Sequence, residues 1–374
     1  MNGKIKNLIF YFLTAFVTLT IMLIISEFFL FFYESKKYLP FRSNQKKVFK
    51  VSKINLPGIN GDATFTADKL GTRSTSNYYK SNLKVLAVGG SSTICTYLDD
   101  KETWPAILDS LLDRGGIETW VGNIGKSGHS TREHIVSLNY ILKEIKNIDT
   151  IILLAGINDL YRYLVHKDYF TIEEILNDEA FYNSAFSNAP LFDNLKNKYK
   201  LRNWRTYIFF RNSYHLFKNL FFDEMKISEN NLASWIEKRS KAQIIYEPMN
   251  LEISLKEFRN NLNKIIDLCN QNQSKLIMLT QPSMYSEKYS DYHESLFWAG
   301  FTSPGRTHYY SISVLNEMLS KYNDVIKDVA SLRSLDLIDL DSVLSKDTTT
   351  FYDDCHFNEN GASKVAELIL PILN

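Results

Sequence analysis

The sequence predicts an α/β protein with a parallel sheet that is covered on both faces. Short runs of continuous apolar residues recur along the chain, and helical spacing follows most of them. Several of these runs end in glycine or in small polar residues. Strands that are apolar at successive positions, rather than at alternate ones, are typical of a parallel sheet buried between helices.

Five apolar runs are predicted to form this sheet. They are VLAVGG at 85–90, IETWVGN at 117–123, TIILLAG at 150–156, KLIMLTQP at 275–282 and LDLIDL at 335–340. Helices are predicted at 102–114, 130–147, 251–272, 310–332 and 359–373. An aromatic and charged stretch at about 160–248 breaks the alternation, and we interpret it as a mostly helical insertion. The predicted domain therefore covers 81–374 and contains this insertion.

The composition limits the classes of function. The chain has 374 residues, with 43 Lys and Arg against 42 Asp and Glu, so its formal net charge is +1. This balance argues against binding to a nucleic acid, because proteins that bind nucleic acids usually have a strongly basic face. The three cysteines are too few for a disulfide framework and lack the spacing of metal ligands. We therefore expect neither a metal nor an organic cofactor.

The N-terminal segment is predicted to be a transmembrane helix over 8–33. Residues 8–25 carry no charge, and FFLFFY follows soon after. A membrane span needs about 20 apolar residues. The alternative is a cleaved signal peptide, whose apolar part would be shorter and would end at small residues. Residues 34–80 are predicted to be a polar stalk and lead-in to the domain.

The ends of the predicted strands carry the side chains that are suited to catalysis. In a parallel sheet, ligands bind where the strands end at their carboxyl side. Ser91 follows two glycines at one such end, and a serine exposed at a strand-to-helix turn is a nucleophile when a base reaches it. His356 is the candidate base, and Asp353, three residues earlier, is the carboxylate that orients it. Asp354 is the rival carboxylate.

Two further strand ends offer hydrogen-bond donors. The glycine-bounded loop at 123–128 supplies a backbone N–H, and Asn158 supplies a side-chain amide. Together with the N–H of Ser91, these donors would form an oxyanion hole. Cys95 and Cys355 lie close to the candidate catalytic residues in sequence, and we interpret them as small buried apolar side chains.

A nucleotide-binding loop is the alternative interpretation of the glycines at 122–128. Gly125-Lys126-Ser127 matches the end of a phosphate-binding loop, but Trp120 stands where that loop needs its first glycine. Gly122, Gly125 and Gly128 do not have the spacing G-x-G-x-x-G of a dinucleotide-binding loop. Neither kind of nucleotide site is predicted.

Four blocks, in order, resemble those of the SGNH hydrolases, also called the GDSL esterase/lipase superfamily. They are Gly89-Gly90-Ser91-Ser92, with glycine in place of the usual aspartate, then Gly128 in NIGKSG, then Gly156-Ile157-Asn158-Asp159, and finally Asp353 with His356. The resemblance covers residues 84–374. It implies a flavodoxin-like three-layer α/β/α sandwich. It also implies that Ser91, His356 and Asp353 form a catalytic triad, and that Ser91, Gly128 and Asn158 form the oxyanion hole.

This resemblance leads us to expect a membrane-anchored serine esterase that works through an acyl-enzyme. The expected substrates are O-acyl esters, in particular O-acetyl esters, of a cell-envelope glycan or lipid. The alternatives are an O-acyltransferase with the same triad and a sugar hydroxyl as acceptor, or a binding domain without catalysis. More basic residues follow the apolar segment than precede it, which favours a cytoplasmic domain. The family resemblance favours the extracytoplasmic side, and we predict that side.

Overall fold

The computed structural model describes residues 3–33, 39–51, 56–186 and 229–373. The chain divides into two compact units, the first made of Met1–Lys37 and Phe192–Glu224 and the second of Tyr38–Leu191 and Met225–Asn374. The described residues of the first unit form helix α1, Gly3–Tyr33. In the described part of the chain, no helix is both long enough and apolar enough to cross a membrane. The predicted span over 8–33 is therefore not supported.

The strands of the second unit match the predicted ones and add two small sheets. They are β1 (Lys46–Phe49), β2 (Ala63–Thr66), β3 (Leu83–Gly89), β4 (Thr119–Asn123), β5 (Thr150–Leu154), β6 (Gln243–Ile245), β7 (Lys275–Leu279), β8 (His308–Tyr310) and β9 (Asp336–Ile338). The central sheet has the order β4-β3-β5-β7-β9. All its neighbouring strands are parallel, as the sequence predicts.

The helices of the second unit follow the strands. They are α2 (Ser91–Ile94), α3 (Trp104–Arg114), α4 (Thr131–Glu144), α5 (Ile157–His166), α6 (Ile172–Asn177), α7 (Glu179–Phe186), α8 (Glu229–Ser240), α9 (Glu252–Gln271), α10 (Asp291–Glu294), α11 (Ile312–Leu332), α12 (Leu340–Val343) and α13 (Glu359–Leu373). Short 3₁₀ turns cover Tyr78–Lys80 and Asp100–Glu102. The five long predicted helices are thus present.

The local sequence explains why these elements form. Every residue of β5 is buried, as expected for a central parallel strand without a polar face. The buried residues of α9 recur every three to four positions, which is the spacing of a helix with one apolar face. Thr103 accepts a hydrogen bond from the Ala106 N–H at the start of α3, where Pro105 occupies the first turn.

The long helices contact the sheet in two groups. Helix α3 packs on α13, and these two contact β4 and β9 respectively. Helix α9 packs on α4 and α11, and this second group contacts β3 and β7. This grouping fits a sheet with helices on both faces. It leaves the carboxyl ends of the strands, where the candidate residues lie, at one edge.

The segment predicted as a polar stalk belongs to the second unit where it is described. Strands β1 and β2 pair antiparallel, and Phe49 and Phe65 are buried in a second, smaller core. Arg73 is buried, and its guanidinium donates to Asp100 Oδ1 at 2.8 Å and to the carbonyl of Leu98 at 2.7 Å. These contacts attach 39–51 and 56–80 to the fold, in place of an extended stalk.

The predicted insertion is described in part. Helices α5, α6, α7 and α8 and strand β6 cover its two ends. Its central part, residues 187–228, lies outside the described residues.

Candidate active site

Ser91 begins helix α2, immediately after β3 and Gly90. The chain turns sharply here, because the N–H groups of Thr93 and Ile94 both donate to the carbonyl of Gly90, each at 3.1 Å. Ser91 itself is half-buried, whereas the residues that follow it in α2 are buried. The turn therefore presents Ser91 at the end of a central strand, where the sequence predicts the nucleophile.

Asp353 and His356 form a closely bonded pair. The Nδ1 atom of His356 lies 2.8 Å from each carboxylate oxygen of Asp353. The backbone N–H groups of Cys355 and His356 also donate to Oδ1 of Asp353, at 3.1 and 3.0 Å. The carboxylate is thereby fixed within its own loop. This fixes the ring, with Nδ1 turned towards the carboxylate.

The loop that carries this pair is bonded to the turn that carries Ser91. The hydroxyl of Ser92 donates to the carbonyl of Cys355 at 3.0 Å, although the two residues are 263 positions apart in the sequence. This hydrogen bond lies one residue from the candidate nucleophile and one residue from the candidate base. The fold thus brings the two predicted loops together.

The charges of the pair stabilise each other. Burial alone raises the pKa of Asp353, but the charge and the hydrogen bond of His356 outweigh it and lower that pKa. Burial alone lowers the pKa of His356, but Asp353 outweighs it and raises that pKa. An imidazole that becomes charged during proton transfer is therefore stabilised, as a general base requires.

Asn158 lies against Gly90, and its position depends on the missing side chain there. A Cβ atom added to Gly90 would come within 2.2 Å of Asn158 Nδ2. The same amide nitrogen donates to the carbonyl of His129 at 2.8 Å. An amide nitrogen carries two N–H groups, so one remains for a ligand. Glycine at position 90, the departure from the family motif, thus makes room for the predicted oxyanion donor.

The two predicted backbone donors have no acceptor among the described residues. Neither the N–H of Ser91 nor that of Gly128 donates a hydrogen bond to any of them. Gly128 has a φ of 78°, a left-handed value that favours glycine, and it is half-buried. Its neighbour His129 accepts the hydrogen bond from Asn158, so these two predicted donors belong to adjoining loops. The third donor begins α2 beside Gly90.

Asp159 joins the two helices that carry these loops. Its carboxylate accepts from the backbone N–H of Thr131 at 3.1 Å and from the hydroxyl of the same residue. The start of α5 is thereby bonded to the start of α4. Burial raises the pKa of Asp159 to about 7.

Among the described hydrogen bonds, none joins Asp354 to His356, and Asp354 has a different set of partners. It accepts hydrogen bonds from the hydroxyl of Tyr285 at 2.7 Å and from the backbone N–H of Trp298 at 2.8 Å. Burial and the neighbouring charge of Asp353 raise its pKa to about 6. Of the two carboxylates that the sequence offered, Asp353 is the one bonded to the imidazole.

Aromatic residues that the sequence analysis did not select surround the pair. The rings of Tyr352 and Trp298 are nearly parallel to the His356 ring, with centroids at 5.4 and 6.4 Å. The indole N–H of Trp298 donates to Oδ2 of Asp353 at 3.0 Å. Trp298 lies in a loop without a motif, so no pattern in the sequence pointed to it.

Cys95 and Cys355 are buried free thiols, as expected of small apolar side chains. A ligand atom of Asp353, one of Cys355 and one of His356 lie within 4.8 Å of one another. However, the imidazole and the carboxylate bind each other, and burial raises the pKa of the Cys355 thiol well above its usual value. The set is therefore suited to orienting an imidazole and not to binding a metal ion.

Lys126, the lysine of the rejected phosphate-loop motif, forms hydrogen bonds within the fold. The backbone N–H of Lys126 donates to the carbonyl of Gly89 at 3.0 Å, and its ammonium donates to the carbonyl of Ala185 at 2.7 Å. Burial lowers the pKa of Lys126 to about 7. The loop therefore supports the turn before Ser91.

Comparisons with known proteins find likenesses among solved structures. No protein-family profile and no curated protein matches the chain. The chain is similar to the acetylxylan esterase Axe2 from Geobacillus stearothermophilus, with 13% identity, a TM-score of 0.42, and coverage of 78% of this chain and 94% of that one. It is also similar to a lipase/acylhydrolase from Enterococcus faecalis, with 15% identity, a TM-score of 0.41, and coverage of 78% and 95%.

A third likeness is to a member of the lipolytic protein G-D-S-L family from Veillonella parvula. The identity is 13%, the TM-score is 0.40, and the match covers 78% of this chain and 97% of that one. At this level of likeness, the assignment of an activity rests on the geometry of the site.

Proposed function

We propose that the protein is a serine ester hydrolase of the SGNH type, with Ser91, His356 and Asp353 as its triad. The observation that carries the proposal is the Asp353–His356 pair, whose loop is hydrogen-bonded to the Ser91 turn. A carboxylate, an imidazole and a serine at a strand-to-helix turn are the groups that acyl transfer requires. The N–H groups of Ser91 and Gly128, which donate no hydrogen bond to the described residues, add to this support.

The reaction proceeds in two steps. His356 takes the proton of the Ser91 hydroxyl through Nε2, and Oγ attacks the ester carbonyl. The oxyanion that forms is stabilised by the N–H groups of Ser91 and Gly128 and by the amide of Asn158. The C–O bond of the ester breaks, and the alcohol leaves with the proton from His356. Water, deprotonated by His356, then attacks the acyl-enzyme; the acyl–Oγ bond breaks, the acid is released, and Oγ of Ser91 takes the proton back from His356.

The proposed substrates are O-acyl esters, in particular O-acetyl esters, of an envelope glycan or lipid. The triad serves hydrolysis and O-acyl transfer alike, because only the acceptor differs. Acyl release measured with and without a glycan acceptor distinguishes the two reactions. Acetylated sugars and fatty esters, screened in parallel, test the size of the acyl group.

The decisive experiment is labelling with a fluorophosphonate, followed by identification of the modified peptide. We expect the label on Ser91, and its loss in the Ser91→Ala and His356→Ala variants. Ser127→Ala is the matched control, because Ser127 is an exposed serine of the neighbouring loop, and it should label normally. Labelling at another serine, or equal labelling of Ser91→Ala, would overturn the proposed function.

A further inference from the structure

We propose that Trp298 is a positioning residue that holds the Asp353 carboxylate and the His356 ring in their working arrangement. This inference rests on the proposed function, because it assigns His356 as the base. Trp298 itself makes no contact with Ser91 among the described contacts. It acts through two other side chains.

The first contact is the hydrogen bond from the indole of Trp298. Its Nε1–H donates to Oδ2 of Asp353 at 3.0 Å, on the oxygen that also accepts from His356 Nδ1. The other oxygen, Oδ1, is occupied by the backbone donors of the loop. The indole therefore completes the hydrogen bonding of a buried carboxylate, whose side chain is 4% exposed.

The second contact is the parallel arrangement of two aromatic rings beside His356. The Trp298 ring lies at 6° to the imidazole, with centroids 6.4 Å apart, and the Tyr352 ring lies at 14° to it, with centroids 5.4 Å apart. The stack continues beyond each ring, since Tyr97 packs on Tyr352 and Trp235 packs on Trp298. Rotation of the imidazole out of its plane would break these ring contacts, so the stack restricts the ring to the plane in which Nδ1 meets the carboxylate.

Trp298 is fixed in turn by the second carboxylate of the loop. Asp354 accepts from the backbone N–H of Trp298 at 2.8 Å and from that of Ala299 at 3.3 Å. The neighbouring carboxylates of Asp353 and Asp354 thus bind different parts of the same tryptophan. Asp354 holds the backbone of the tryptophan, and the tryptophan side chain holds Asp353. This explains why a second buried acid stands beside the triad without contacting the imidazole.

The hydrogen bond from Trp298 has a chemical consequence for the base. A donor on the carboxylate stabilises its negative charge and so weakens its pull on the imidazole proton. Removing the donor should therefore raise the pKa of His356.

The titratable and charged groups that surround Asp353 and His356 are Asp354, Cys355, Tyr97, Tyr161, Tyr285, Tyr352 and, through Asp354, Arg239. None of them is changed in the variants below.

The test is the variant Trp298→Phe, which keeps an aromatic face and removes the N–H. We expect the acidic limb of the pH dependence of fluorophosphonate labelling to move upwards by about half a pH unit or more. NMR titration of the histidine ring protons should show the same upward shift for His356, with its signal assigned by the His356→Asn variant. An unchanged limb and an unchanged titration, or a downward shift, would overturn the inference.

Two further variants separate positioning from a loss of folding. Trp235→Phe alters the next ring in the stack, which has no hydrogen bond to Asp353, and should leave the acidic limb in place. Trp298→Leu removes both contacts and should lower the maximal labelling rate at least tenfold, with thermal unfolding checked in parallel. An equal shift in Trp235→Phe would also contradict the inference.

Failure of the two proposals can be distinguished. If the unaltered protein does not label at Ser91, the proposed function fails. The NMR titration of His356 needs no turnover, so it tests the hydrogen bond from Trp298 in either case.

Discussion

Position 90 shows how the lack of one side chain shapes the candidate site. Its Cα faces the amide of Asn158 so closely that even a methyl group would displace that amide. We expect Gly90→Ala to lower the labelling rate about 10²–10³-fold, the usual cost of losing one oxyanion donor. Asn158→Ala should give a similar loss, and the double variant should lose little more, because both changes remove the same donor.

Gly305→Ala is the control for this prediction. An added Cβ there would meet only Ser303 Oγ, at 3.8 Å, and should leave the rate unchanged. A normal rate in Gly90→Ala would mean that Asn158 does not serve the oxyanion.

The pH dependence follows from the pair formed by Asp353 and His356. Only neutral His356 accepts the serine proton, and Asp353 raises its pKa above the ordinary value of about 6.5. The labelling rate should therefore fall as the pH drops, with a midpoint above about 6.5.

Asp353→Asn should lower the rate by about 10⁴-fold, the loss that this change causes in a serine protease triad. Both quantities are measured from rate profiles between pH 5 and 9, and a midpoint well below 6 would contradict this assignment.

Which residues meet around Asp353 could be predicted from the sequence only in part. The ordered motifs predicted Ser91, Asp353 and His356, because the residues of such motifs recur at fixed spacings within a loop. The contribution of Trp298 depends on where a long loop without regular structure folds back, and no local pattern encodes that. The choice between Asp353 and Asp354 likewise required the hydrogen bonds.

At the scale of elements, a buried ion pair connects α4 to α9 behind the oxyanion loops. Arg132 donates to both carboxylate oxygens of Glu257, and each side chain is 6% exposed. Removing Arg132 takes away the cation that is bonded to the buried Glu257 carboxylate. We expect Arg132→Ala to lower the free energy of unfolding by about 3–5 kcal/mol, measured by denaturant titration.

A neighbouring pair on the same helix provides the comparison. Arg259 contacts Asp328 at 3.0 Å, with side chains 36% and 61% exposed. Arg259→Ala should change the free energy of unfolding by less than about 1 kcal/mol. Similar losses in both variants would show that burial does not control these pairs.

The long elements were the predictable part of the fold. Strands such as β5, apolar at every position, and helices such as α9, with one apolar face, have periods that the sequence displays directly. Strands β1 and β2 were missed because each has four residues with polar side chains among the apolar ones. They are fixed by partners outside the two strands, including Asp99 and the buried Arg73, which both bond the backbone of Thr64.

For the whole molecule, the compartment in which the domain works stays a prediction. The flanking charges favour the cytoplasm and the family resemblance favours the outside. We expect a reporter fused to the C-terminus, of a kind that is active only outside the cytoplasm, to be active. A second reporter that works only inside is the control. Activity of the second reporter alone would reverse the predicted topology.

The hydrogen bond between Ser92 and Cys355 also has a consequence for biosynthesis. The nucleophile turn leaves the ribosome more than 250 residues before its base does, since the two come from opposite ends of the domain. A nascent chain, or one cut short before Asp353, contains the proposed nucleophile without its proposed base. We therefore expect the proposed esterase activity to begin only after the loop that carries His356 has been synthesised, so that incomplete chains do not attack acylated molecules in the cell.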